Sequence, residues 1–304
     1  MYNKLCLEVM IPVRERIHIT QKCIESIHDN SKIFNNINIS VFDNNSILEN
    51  NSRLSIFQNL LSQGKIKYYS YDTDVSSHNC FGKAVAFKRW IQYMKTDDEL
   101  RKLKQIHPPE KKYYMLVDND FIMGPRWDEF FISTVDQIQK YEKETRFIVQ
   151  SPGGVVQSHR DNGNTITLTN LFTRESFDTL SCSGGGSSGL WFMNYDMLSK
   201  LEWEVQYLAH TYKQNKRHDS TTWIKIKNEI PANSNYVTGI IVPDYLSPFA
   251  LHMSSSEFCT SICNKLTNRT FDQEYTSILD MDEKIKDLSH QELYEIHKDI
   301  GGRW

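Results

Sequence analysis

Short apolar runs alternate with stretches of helical periodicity along the first 150 residues. The apolar runs predict strands at residues 5–11, 37–42, 65–70, 111–117 and 146–150. Apolar residues at helical spacing predict helices at 20–30, 54–61, 81–94 and 127–138, with a charged helical insert at 97–106. Pro12 is expected to end the first strand, because proline has no N–H to donate to a ladder.

The pattern changes beyond residue 150. Residues 151–189 are rich in Gly, Ser, Thr and Asn, and an alternating stretch around Ile166 and Leu168 suggests a hairpin. Residues 181–189 must be a loop. Strands are predicted at 190–193 and 236–242, short helices at 195–201 and 219–228, and a last helix after the capping box Ser289-x-x-Glu292.

The alternation of strands and helices predicts an α/β protein with a parallel sheet and helices on both faces. Each early strand is followed by polar residues, and these tips lie at 12–14, 43–46, 72–79 and 118–120. Ligands of such sheets bind outside the carboxyl ends of the strands. Because the four tips would share that edge, we expect a binding site there.

The tip Asp118-Asn119-Asp120 carries two carboxylates separated by one residue. Side chains alternate along an extended chain, so Asp118 and Asp120 would point the same way and could reach one divalent cation or the phosphates it holds. The alternative is an ordinary polar turn, since Asp-Asn-Asp is turn-prone.

Composition narrows the class of protein. The 304 residues are 39% apolar and 12% aromatic, which suffices for a sizeable core, and the net charge of -3 gives no overall basic field for nucleic acid or membrane. The N-terminal segment is too short and polar for a signal peptide or a transmembrane segment, so we expect a cytoplasmic protein. Six scattered cysteines then indicate free thiols rather than a disulfide framework.

Four segments, in order and spacing, resemble the successive motifs of GT-A glycosyltransferases, nearest to the family 2 type. They are Ile11-Pro12-Val13-Arg14, Val41-Phe42-Asp43-Asn44-Asn45-Ser46, Asn79-x-x-Gly82 and Leu116-Val117-Asp118-Asn119-Asp120. The resemblance covers about the first 130 residues. It implies the GT-A form of the fold: a mixed, mostly parallel sheet flanked by helices, with a less regular C-terminal half.

The resemblance also divides the chain and assigns roles. Residues 1–130 would form the nucleotide-sugar-binding half and residues 131–304 the acceptor side, within one continuous domain. The residues implied in nucleotide-sugar binding in the first half are Pro12, Val13, Arg14, Asp43, Asn79, Lys83 and Asn119. Asp118 and Asp120 would hold Mn²⁺ or Mg²⁺, which stabilises the charge of a departing nucleoside diphosphate.

Three later positions complete the implied site. The glycine-rich loop with Gly186, followed by Trp191, resembles the segment beside the donor sugar, although a plain flexible loop is the alternative. Asp219 matches the place of the general base that deprotonates the acceptor hydroxyl, which favours inversion at the anomeric carbon, with retention as the alternative; Asp219 could instead be a helix cap. His252 resembles the histidine that completes metal coordination, or is a core histidine.

The function predicted on this basis is metal-dependent transfer of a sugar, with a UDP-sugar as the expected donor. The acceptor hydroxyl could belong to a saccharide, a lipid-linked sugar, a protein or a modified nucleic acid. A serine hydrolase using Ser187, Asp219 or Asp244, and His252 is a second hypothesis, because residues 185–189 match Gly-x-Ser-x-Gly. A non-catalytic carbohydrate-binding module is a third.

Overall fold

One sheet of nine strands organises the part of the chain that the computed structural model describes. The described residues are 5–13, 16–44, 51–72, 79–104, 111–142, 147–150, 164–181, 189–193, 237–241, 250–252, 282 and 285–300. The strands are β1 (Leu5–Val13), β2 (Asn36–Asn44), β3 (Tyr68–Asp72), β4 (Lys111–Val117), β5 (Phe121–Met123), β6 (Phe147–Gln150), β7 (Asn164–Thr169), β8 (Ser176–Ser181), β9 (Leu190–Met193), β10 (Val237–Ile241) and β11 (Ala250–His252). The helices are α1 (Ile17–Asp29), α2 (Asn51–Ser62), α3 (Asn79–Leu103), α4 (Trp127–Glu142) and α5 (His290–Ile300).

The strand order in this sheet is β3-β2-β1-β4-β9-β6-β10-β8-β7. The first four strands are parallel to one another. Strand β9 runs antiparallel to both of its neighbours, and so does β8, so the remaining strands of the sheet share one direction. The prediction of an α/β fold with a mixed, mostly parallel sheet is confirmed. Strands from both sides of residue 130 lie in this one sheet.

Helices pack on both faces of the sheet because β1 is apolar on both. Leu7, Val9 and Ile11 belong to a core cluster with residues of α1, α2 and α4. Met10, which lies between Val9 and Ile11 and therefore on the opposite face, packs in a second cluster with Phe87 of α3. A central strand covered on both sides is expected to read as a continuous apolar run, and β1 does except at Glu8, whose Oε1 accepts a hydrogen bond from Asn38 Nδ2 at 3.0 Å.

Several boundaries differ from the sequence predictions. The expectation that Pro12 ends the first strand is wrong, since β1 continues to Val13. Beyond Met10, β1 is in register with β2 but no longer with β4, so a residue without an N–H can be accommodated on that side. Helix α3 runs unbroken through the position where two helices were predicted.

The predicted hairpin and the predicted capping box are confirmed. The alternating stretch at 164–169 pairs with β8 as an antiparallel hairpin. At α5 the Ser289 N–H donates to Glu292 Oε2 (2.7 Å) and the Glu292 N–H to Ser289 Oγ (3.2 Å), which is the reciprocal capping box. No helix among the described residues is long and apolar enough to cross a membrane.

Candidate functional site

Asp43 lies at the carboxyl edge of the sheet, where β2 passes between β1 and β3. Its register partners are Val13 on one side and Tyr71 on the other. The side chain is only 3% exposed, and its Oδ2 accepts a hydrogen bond from the Tyr69 hydroxyl at 3.1 Å. Burial, and then the Asp43 charge, raises the pKa of Tyr69, so the phenol remains a protonated donor. The carboxylate is therefore held at the strand end in a fixed direction.

The segment Asp118–Asp120 forms a turn and does not extend β4. The strand ends at Val117, and the Phe121 N–H approaches the Asp118 carbonyl at 3.4 Å. The Asp118 N–H donates to the Gly189 carbonyl at 2.7 Å, which ties the turn to the residue before β9. The expectation of an extended chain through Asp118 and Asp120 is thus wrong, and strand alternation does not set the directions of their side chains.

Asp120 is ion-paired with Arg16, a residue that the sequence analysis did not select. Arg16 Nη1 lies 2.8 Å from Asp120 Oδ2. Asp120 is 4% exposed, whereas the Arg16 side chain is 26% exposed. Arg16 immediately precedes α1 and has a left-handed backbone with φ of 59°. The pair therefore joins the start of α1 to the end of β4, with the guanidinium on the more accessible side.

The middle residue of the turn is bound to the first turn of α1. Asn119 is buried, and its Nδ2 donates to Thr20 Oγ1 at 2.9 Å. The Thr20 hydroxyl in turn donates to the Arg16 carbonyl at 2.6 Å. This chain of hydrogen bonds fixes the main chain of Arg16 relative to the turn that carries both carboxylates.

Cys23 also lies against this turn, with Sγ 3.9 Å from the Asp118 carbonyl. Its pKa is raised by complete burial and then by the Asp120 charge. A thiol in that environment stays protonated, so Cys23 is a packing residue and no nucleophile.

Asp282 caps α1 from far along the sequence. Its two carboxylate oxygens accept the N–H groups of Ile19 (2.7 Å) and His18 (3.2 Å). The Arg16 side chain makes no capping hydrogen bond of its own. A carboxylate at a helix N-terminus satisfies donors that have no intrahelical partner and interacts favourably with the helix dipole. The helix start that presents Arg16 and Thr20 is stabilised in this way.

The main chain of His252 returns to the same turn. Strand β11 is antiparallel to β5, and His252 is in register with Phe121, the residue that follows Asp120. Two aspartates and a histidine form a donor set that Mn²⁺ or Mg²⁺ accepts. The described side chains themselves contain no group of three His, Cys, Asp or Glu residues arranged to hold a metal ion. The side chain of His252 is not among them.

For the remaining predicted residues, the structure describes the side chain, only the main chain, or neither. Pro12 is half-buried at the end of β1, whereas Val13 is buried in the core, so only its main chain is available to a ligand. Trp191 of β9 is 2% exposed within the cluster on the α3 face. Asn79 and Lys83 begin α3, and only their main chain is described. The residues that lie outside the described part are Arg14, Gly186, Ser187, Asp219 and Asp244.

Sequence reasoning missed Arg16, Thr20 and Asp282. A signal existed for Arg16, which stands two positions after Arg14, just beyond the polar tip at 12–14. The sequence contains no signal for Asp282, because its partners are main-chain N–H groups more than 260 residues away.

No protein-family model and no curated protein matches the chain. The solved structures that the chain matches include TarS of S. aureus, with 12% identity, a TM-score of 0.47, and coverage of 94% of this chain and 44% of that chain. The chain thus spans less than half of the TarS chain. The mannosyltransferase PcManGT of Pyrobaculum calidifontis, in complex with GDP-Man and Mn²⁺, has 10% identity, a TM-score of 0.44, and coverage of 97% and 73%. Mouse xyloside xylosyltransferase 1 has 12% identity, a TM-score of 0.38, and coverage of 77% and 84%.

Proposed function

We propose that the chain is a metal-dependent glycosyltransferase of the GT-A type that moves a sugar from a nucleotide-sugar donor to a hydroxyl acceptor. The observation that carries this proposal is that Asp43 and the Asp118–Asp120 turn lie at the same edge of the sheet. Strand β1 lies between β2 and β4, so its carboxyl end separates the two acidic tips. This is the edge at which ligands of mostly parallel sheets bind.

The nucleotide would occupy the side of the edge formed by β1, β2 and α3. A carboxylate held by Tyr69, as Asp43 is, accepts hydrogen bonds from ribose hydroxyls or from a base N–H. Pro12 and Val13 would contribute main-chain contacts, and Arg14 positive charge. The start of α3 at Asn79 supplies main-chain N–H groups suited to a phosphate, to which Lys83 would add charge. Asn119 would act by holding the Asp118–Asp120 turn.

Asp118, Asp120 and His252 would hold Mn²⁺ or Mg²⁺. When bound, such an ion stabilises the negative charge that develops on the departing diphosphate. The support for this assignment is that both aspartates lie in one turn and that the main chain of His252 is paired beside it. A UDP-sugar is the expected donor.

The acceptor side would be supplied by the second half of the chain. Gly186 would lie beside the donor sugar, and Trp191, which is buried in the cluster on the α3 face, would pack behind that position. The contact of Gly189 with Asp118 supports a position of the glycine-rich loop near the turn. Asp219 would remove the proton from the acceptor hydroxyl as its oxygen forms a bond to the anomeric carbon. The bond from that carbon to the nucleoside diphosphate breaks in the same step, with inversion. The acceptor would be a saccharide, a lipid-linked sugar, a protein or a modified nucleic acid, and the expected location is the cytoplasm.

The hydrolase hypothesis has less support. A nucleophile elbow requires a helix directly after the serine. Strand β9 begins at Leu190, three residues after Ser187, where that helix would have to be. The transferase is therefore the better supported of the two functions.

A donor panel tests the proposal. Purified protein is incubated with UDP-, GDP- and other nucleotide sugars, with and without Mn²⁺ or Mg²⁺, and nucleotide release is followed by mass spectrometry. We expect metal-dependent turnover of one donor, lost in Asp118→Ala. Binding without turnover under any condition would support a carbohydrate-binding module instead. Absence of both binding and turnover, with fluorophosphonate labelling of Ser187, would replace the transferase by the hydrolase.

A further inference from the structure

We propose that Arg16 competes with the divalent cation for Asp120, so that the cation binds tightly only together with the nucleotide diphosphate. This inference rests on the proposed function and adds a coupling between its two ligands. It arises from the ion pair at the candidate site, in which Arg16 Nη1 lies 2.8 Å from Asp120 Oδ2. A guanidinium in that position already neutralises the carboxylate that a metal would use.

The competition follows from charge and coordination. Asp120 is largely buried, so its carboxylate is poorly hydrated and gains from any positive partner. A divalent cation bound at Oδ2 would share that oxygen with the guanidinium, and the two positive charges would repel in a site of reduced dielectric. A cation that uses Oδ2 must therefore displace Arg16, and one that binds Oδ1 of the same carboxylate is still repelled by the guanidinium. In both cases the Arg16–Asp120 pair lowers the affinity of the cation.

The Arg16 guanidinium can leave Asp120 and bind a phosphate instead. Its main chain is fixed, because the carbonyl accepts both the N–H and the hydroxyl of Thr20, at 3.0 Å and 2.6 Å. Its side chain is 26% exposed, so the guanidinium has room to turn toward solvent while the main chain stays in place. The planar fork of an arginine matches a phosphate as well as a carboxylate. A diphosphate would thus provide Arg16 with a replacement anion and release Asp120 to the cation.

The measurable consequence is reciprocal coupling. If the nucleotide removes the competitor of the cation, the cation must strengthen nucleotide binding by the same factor. Replacement of Arg16 by methionine removes the competitor permanently. The variant is expected to bind the cation more tightly without nucleotide, and to lose most of the coupling between the two ligands.

Arg126 offers a matched control for this substitution. It also has a left-handed backbone, with φ of 62°, and also pairs with a largely buried carboxylate, Glu129, at 2.7 Å. Its N–H donates to the Asn30 carbonyl, beyond the C-terminal end of α1, whereas Arg16 precedes the N-terminal end. A helix of 13 residues separates the two arginines by roughly 20 Å. Arg126→Met therefore makes the same chemical change away from the candidate site.

The experiment measures Mn²⁺ affinity by electron paramagnetic resonance and calorimetry, with no nucleotide and then with saturating UDP or GDP. For Arg16→Met we expect free Mn²⁺ to bind about tenfold more tightly than in the wild type, a typical size for coupling between sites. Arg126→Met should match the wild type. Arg16→Lys retains a positive charge and should restore weak binding of free Mn²⁺, which also shows that the effect does not come from altered folding.

Two results would overturn the inference in different ways. If the wild type binds Mn²⁺ with a nucleotide but Arg16→Met binds free Mn²⁺ no more tightly, the role of Arg16 is refuted while the proposed function stands. If the wild type binds neither Mn²⁺ nor a nucleotide, alone or together, both proposals fail.

Discussion

At the scale of single residues, the buried carboxylates of the sheet edge each have a specific partner. Asp43 is bound by the Tyr69 hydroxyl, and Asp120 by the Arg16 guanidinium. A buried carboxylate without such a partner would carry a large desolvation cost. These partners therefore determine the directions in which the two acids face, and a ligand must adapt to those directions or replace the partner.

Replacement of Tyr69 tests the orientation of Asp43. Tyr69→Phe removes one hydrogen bond to a buried charged acceptor, so we expect a loss of about 1.5–3 kcal/mol in the free energy of unfolding. If Asp43 binds the nucleotide, the affinity for the UDP-sugar should also fall several-fold. Tyr68→Phe is the control, since Tyr68 packs on the α3 face against Tyr93, with ring centroids 4.5 Å apart. Denaturant unfolding and calorimetry give both values, and an unchanged stability of Tyr69→Phe would contradict the role assigned to its hydroxyl.

Sequence reasoning at this scale located the acids but not their directions. Asp43, Asp118 and Asp120 were found because each follows an apolar strand. Their orientation depends on where the strand ends, and β4 ends at Val117, three residues before Asp120, so the alternation does not reach it. Hydrogen bonds such as that of Asn119 with Thr20 join residues 99 positions apart and have no local signature.

At the scale of elements, α1 connects the candidate site to the C-terminal segment. Its first N–H groups are accepted by Asp282, and Lys22 Nζ donates to the Lys286 carbonyl at 3.0 Å. Its first turn holds Arg16 and Thr20 against the Asp118–Asp120 turn. The stability of this helix start is thus a condition for the geometry of the site.

Removal of the cap should weaken this connection. Asp282→Ala leaves the His18 and Ile19 N–H groups without their acceptor, and a lost N-cap costs about 0.5–2 kcal/mol. For a chain of this size we expect Tm to fall by a few degrees, roughly 2–4 °C per kcal/mol. Asp282→Asn retains an acceptor and should lose less, and Asp287→Ala changes an exposed aspartate of the same segment as a control. A Tm for Asp282→Ala equal to that of Asp287→Ala would contradict the capping role.

The boundaries of helices and strands could be predicted where the sequence signal lies in adjacent residues. The capping box of α5 was read from four adjacent residues. The continuation of β1 through Pro12 was not, because it depends on which neighbouring strand is still paired at that position.

At the scale of the whole molecule, two late segments of the chain return to the same turn. Strand β9 lies antiparallel between β4 and β6, which brings Gly189 to Asp118. Strand β11 pairs with β5 and brings the main chain of His252 beside Asp120. The alternation of strands and helices predicted the sheet and its parallel part. It could not predict the strand order or these returns, because they depend on long connections whose paths leave no periodic trace in the sequence.

Binding of a nucleotide sugar through a divalent cation at this turn is the property on which the proposed function depends. The most direct test is calorimetric titration of UDP-sugars, with and without Mn²⁺, into the wild type, Asp120→Asn and Asp98→Asn. Asp98 lies in α3, forms an ion pair with Lys112 at 2.7 Å, and serves as a charge-matched control. We predict Mn²⁺-dependent binding in the wild type and in Asp98→Asn, and a loss of about tenfold or more in Asp120→Asn, as expected when a charged ligand to the cation is neutralised. Wild-type Mn²⁺-dependent affinity in Asp120→Asn would contradict the claim.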